Sequence, residues 1–92
     1  MSSLNQFSAA HIVSAILSLA QKMHGVDLTL QDVSATATAN QMWIVTTAHP
    51  HVGRIVAEVI ALATGYVQSV AGVWIISHAE AAQLVAKAHV DR

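Results

Sequence analysis

The chain contains no cysteine, one proline, four aromatic residues, and four Lys/Arg against five Asp/Glu among 92 residues. Without cysteine, a disulfide framework and a thiolate metal site are both excluded. The few basic side chains are scattered, so the basic stripe with interleaved aromatics that marks a nucleic-acid binder is missing. No run reaches the ~18 consecutive apolar residues that suggest a membrane span. Lys22, Glu58 and the histidines interrupt the nearest candidates, and no membrane partner is expected. Met1–Gln6 carries no basic stretch of the kind that opens a secretory signal, so a cytoplasmic location is the expectation. There is no G-x-S-x-G, no glycine-rich phosphate loop and no closely spaced carboxylate pair. No catalytic residue and no cofactor are expected, and the chain does not read as an enzyme.

What is present is apolar side chain. Apolar residues make up 54% of the sequence and charged residues 10%, against a usual charged share of roughly 25%. A chain this short forms one domain, residues 1–92, and buries only about 60–65% of its unfolded surface. Apolar side chain beyond that capacity must sit at the surface, where large apolar patches usually mark partner sites. A second copy is the simplest partner, because most soluble oligomers are symmetric homo-oligomers.

Ser8–His24 reads as a helix: Ser8 is an N-cap, Ile12, Ile16, Leu19, Ala20 and Met23 recur at helical spacing, and Gly25 is a stop. Val26–Leu30 alternates apolar and polar side chains and predicts a half-buried strand. The alternation changes phase at Val33, which places a turn or bulge near Asp32. Asn40-Gln41 then closes a hairpin into Met42–Ala48, a segment apolar on both faces and expected to be covered on both sides. Pro50 opens a second helix over Val52–Thr64, whose polar stripe is only Arg54 and Glu58. Val67–Ile76 predicts a further strand, and Ala79–Val90 a short, loosely docked terminal helix. The expected class is α+β: an antiparallel sheet of about three or four strands, with two main helices on one face and a short C-terminal helix, ferredoxin-like in outline.

The second helix is so apolar around its circumference that Val56, Val59 and Ile60 are assigned to a subunit interface. Lys22, in the last turn of the first helix, complements the helix dipole or reaches carbonyls of an adjacent subunit. The Ser34–Asn40 stretch reads either as an edge hairpin, which threonine favours, or as a loop lining a symmetry axis through Ser34, Thr36, Thr38 and Asn40. No metal site is expected. An alternative places a zinc ion among His49, His51 and His78, if the last of these lies at the same end of the sheet as the first two.

Three segments bear a resemblance to bacterial microcompartment shell proteins. They are Leu19-Ala20-Gln21-Lys22-Met23-His24-Gly25-Val26-Asp27-Leu28, then Met42–Ala48 followed by His51-Val52-Gly53-Arg54-Ile55, and then Val73-Trp74-Ile75-Ile76. Together they span about residues 9 to 88. The resemblance implies a hexamer or pseudohexamer that tiles into a sheet with related shell proteins, Lys22 at the edge between tiles and Ser34–Asn40 around a pore. The sequence departs from that family in three places. The opening strand is reduced to Leu4–Phe7, Ala35–Asn40 replaces a glycine-rich pore loop, and Ser77-His78-Ala79-Glu80 replaces a proline-containing segment.

The leading expectation is therefore a self-assembling structural subunit. Two others stand beside it: a small oligomeric module that docks a protein partner, and a histidine-based metal carrier or small enzyme.

Overall fold

The computed structural model describes residues 8–66 and 72–90. Its elements run α1 (Ala9–His24), β1 (Val33–Ala37), β2 (Met42–Thr47), α2 (Pro50–Thr64), β3 (Val73–Ser77) and α3 (His78–Val90). The architecture is α+β, three helices against a three-stranded antiparallel sheet in the order β1-β2-β3.

Each helix end has a local cause. At the start of α1, the Ser8 N–H donates to Nδ1 of His11 at 3.0 Å, so His11 takes the place usually held by Glu or Gln in a capping box. At the far end Gly25 adopts φ 66°, with its N–H on the Gln21 carbonyl and the Val26 N–H on that of Ala20. This left-handed cap suits a residue without a Cβ. Pro50 opens α2 and Gly65, at φ 83°, closes it. α3 starts directly after β3 through a reciprocal pair. The Ser77 N–H donates to Glu80 Oε1 at 2.8 Å and the Glu80 N–H to Ser77 Oγ at 3.1 Å.

The hairpin joining β1 to β2 turns on Thr38-Ala39-Asn40-Gln41. The Gln41 N–H reaches the Thr38 carbonyl, and the Thr38 N–H reaches that of Met42. Gln41 itself sits at φ 62°. That combination is a type I turn followed by a left-handed residue, a position where glycine is usual.

The register fixes two faces. Val45 lies between Ala35 and Trp74, and Trp43 between Ala37 and Ile76. Val33, Trp43, Val45, Trp74 and Ile76 join Ile12, Ile16 and Leu19 of α1, Val56, Val59 and Ile60 of α2, and Ala81 and Leu84 of α3 in one core, with Ala35 packed against it. All three helices thus pack on one face of the sheet.

Three expectations are corrected here. Val26–Leu30 is not a strand but an irregular connection. Val26 and Leu28 do pack on the core, so the alternation was real, but no strand among the described residues pairs with the segment. The Asp32 carboxylate takes the Thr29 N–H at 2.8 Å and its hydroxyl at 3.1 Å, bending the chain into a turn where the phase change was expected. Second, α3 is thirteen residues long and docked: Ala81 and Leu84 are fully buried. Third, Val56, Val59 and Ile60 are each 0% exposed within a single chain, so they have no surface to give a partner. α1 and α3 both flank α2 and supply the cover that a neighbouring subunit was expected to provide. The first part of the predicted strand Val67–Ile76 lies outside the described residues.

Candidate functional site

The sheet face away from the helices carries Ser34 and Thr36 from β1, Met42, Ile44 and Thr46 from β2, and Val73, Ile75 and Ser77 from β3. In the register, Thr36, Ile44 and Ile75 form one row across the sheet, and Ser34, Thr46 and Val73 the next. None of the eight is charged. Ile75 is 49% exposed, Ser34 and Thr36 are exposed, and the other five are partly buried. The Ser34 and Thr46 hydroxyls are 2.7 Å apart, satisfying each other and leaving the methyl-rich rows beside them. Met42–Thr47 is therefore apolar on both faces, as its sequence indicates, but the described residues seal only the helix-facing side. This corrects the expectation of cover on both sides, and it localises apolar surface that one chain leaves in water.

A second feature sits at the junction of β2 and α2. A cavity of about 440 Å³ opens there, lined by residues that include Thr47, His49, Gly53, Arg54, Gly72 and Trp74. Its floor depends on two glycines. A Cβ on Gly53 would stand 3.2 Å from Thr47 Oγ1, and one on Gly72, at φ 78°, only 2.8 Å from the same atom. The glycines let two segments come close to Thr47: α2 at Gly53, and the chain entering β3 at Gly72. The rim has basic side chains from His49 and Arg54 and no carboxylate. Among the described residues it holds no nucleophile–base pair: Thr47 Oγ1 donates to the Gly72 carbonyl at 3.5 Å, a structural bond.

The three candidate metal-ligating histidines divide between the two ends of the sheet. His49 and His51 follow β2, and His78 follows β3. Because Thr46 pairs with Val73 while Met42 pairs with Ser77, the antiparallel register sends the two chain ends in opposite directions. Four residue steps along β3 separate them by roughly 13 Å before side chains are counted. Among the described residues no three His, Asp or Glu side chains cluster in a way that could hold a metal ion. The His49–His51–His78 alternative is overturned on that geometry. His24, by contrast, pairs with Glu58, Nε2 to Oε1 at 3.1 Å, tying the end of α1 to α2.

Lys22 Nζ donates to the Ala88 carbonyl at 3.2 Å. A carbonyl was the expected partner, but it belongs to the last turn of α3 in the same chain, where a cation complements the helix C-terminus. Ser34, Thr36, Thr38 and Asn40 do not form one loop. Ser34 and Thr36 lie in β1, and Thr38 Oγ1 accepts the Asn40 and Met42 N–H groups, each at 3.2 Å. Thr38 is thus spent inside the hairpin turn, and the edge-hairpin reading describes the stretch. No helix among the described residues is long and apolar enough to cross a membrane.

No family model, curated protein or solved structure matches this chain.

Proposed function

We propose that this chain is a self-assembling structural subunit that forms homo-oligomers through the open face of its sheet. The observation that carries the reading is the uncharged face around Ile75, flanked by Ile44, Val73 and Met42 on strands that the helices cover from one side only. Burying such a face gains roughly 25 cal/mol per Å² of apolar area, without the cost of stripping water from a charge. The low charged share of the chain, 10%, points the same way. The resemblance to microcompartment shell proteins extends the proposal to rings that tile with related chains in the cytoplasm. In that arrangement Lys22 serves first to hold α3.

The test is Ile75→Asp. Ile75 is already half in water in the single chain, so an aspartate there is tolerated by the folded monomer. In an oligomer built on this face the carboxylate would be buried without a partner, at a cost of several kcal/mol. The expected result is a native mass below that of the unaltered chain, with an unchanged circular dichroism spectrum. A native mass unchanged by the substitution removes the sheet face from the assembly.

A further inference from the structure

Resting on the self-assembly reading, we propose that two copies of the chain join edge to edge through β1, in antiparallel register centred on Ala35, to make one continuous six-stranded sheet. The bonds across the hairpin show which backbone groups are available. The Ala48 N–H donates to the Asp32 carbonyl and the Thr38 N–H to that of Met42, so even-numbered residues of this stretch direct their amides and carbonyls toward β2. Strand geometry alternates. The N–H and C=O groups of Val33, Ala35 and Ala37 therefore point away from β2, and among the described residues β1 is a terminal strand of the sheet.

Those outward groups are self-complementary. A two-fold axis at Ala35 sets Ala35 against its own copy, Val33 against Ala37 of the second copy, and Ala37 against Val33. Each of these three pairs has both members facing the axis, so each exchanges two backbone hydrogen bonds.

Charge permits the same register. Asp32, the one carboxylate adjoining the strand, would stand opposite Thr38 of the other copy, and the two Asp32 side chains would lie at opposite ends of the joint. Exposed edges are usually blunted by lysine, proline, a bulge or an inward charge, and Val33-Ser34-Ala35-Thr36-Ala37 has none of these. The pairing is continuous with the proposed docking surface. Ser34 and Thr36 lie on the open face, so each would sit opposite the other residue type of the second copy, and the two apolar patches around Ile75 would become parts of one surface.

The experiment compares native masses of the full chain and four variants. Ala37→Pro removes one outward N–H and leaves the bonds to β2 intact, and it acts twice across the axis. Self-association should weaken by roughly a hundredfold. Thr36→Lys and Ser34→Glu change only exposed side chains, so they test the joint even if the proline variant fails to fold. Each alone should weaken self-association, and mixing the two should give mixed pairs in preference to either parent, because residue 36 of one chain faces residue 34 of the other. If these three variants keep the parent mass while Ile75→Asp loses it, the edge joint is wrong and the face-driven assembly stands. A parent chain that is monomeric overturns both.

Discussion

Replacing Gln41 with glycine should stabilise the protein. Gln41 occupies φ 62° at the end of the β1–β2 turn, and its side chain is exposed. A left-handed backbone costs a residue with a Cβ about 1–2 kcal/mol, and glycine escapes that cost. Against this, glycine loses about 0.5–1 kcal/mol through the greater freedom of the unfolded chain. The difference leaves a gain of about 0.5–1 kcal/mol. For a domain of this size that raises the melting temperature by about 2–8 °C. Urea denaturation followed by circular dichroism checks it: the midpoint should rise while the slope stays constant. A lower midpoint would mean that Gln41 is not held in the left-handed region, and the hairpin geometry derived above would be wrong.

The opposite substitution at a similar backbone angle should be costly. Gly72→Ala combines a positive φ of 78° with a Cβ 2.8 Å from Thr47 Oγ1, and the expected loss is about 2–4 kcal/mol by the same denaturation assay. Leu84→Ala empties a fully buried position in α3 and should cost about 2–5 kcal/mol; a loss below about 1 kcal/mol would return α3 to the status of a loosely held tail. Lys22→Ala should leave the core intact but speed amide exchange in the last turn of α3, whose Ala88 carbonyl it bonds. Unchanged exchange there would show that the bond contributes nothing.

Much of this fold can be read along the chain, and the failures have physical causes. α1 and α2 were legible because their apolar stripes are long and their ends carry Ser8, Gly25 and Pro50. The turn before β1 was legible because the phase of alternation changes near Asp32, and the hairpin because Asn40-Gln41 interrupts two extended stretches. α3 was underrated because alanine gives it a weak stripe. Its decisive signal is local, the S-x-x-E of Ser77 and Glu80, which departs from the shell-protein pattern and yet is a capping box. Once α3 is understood as docked, Val56, Val59 and Ile60 need no outside cover. Val26–Leu30 misled for a different reason: alternation reports which side of an extended chain is buried, not whether another strand lies beside it.

The candidate surface was visible only in part. Met42–Thr47 was recognisably apolar on both faces, but which face stays open depends on where α1, α2 and α3 settle. That is a property of the whole fold. The separation of His78 from His49 and His51 likewise follows from the antiparallel pairing of β2 with β3, which residue spacing does not encode.

Sedimentation equilibrium of the unaltered chain over a range of micromolar concentrations bears most directly on the account. A mass that is a multiple of 9.7 kDa and grows with concentration is the predicted result. A single species of 9.7 kDa throughout that range would mean that the face around Ile75 rests in water, and self-assembly would have to be abandoned.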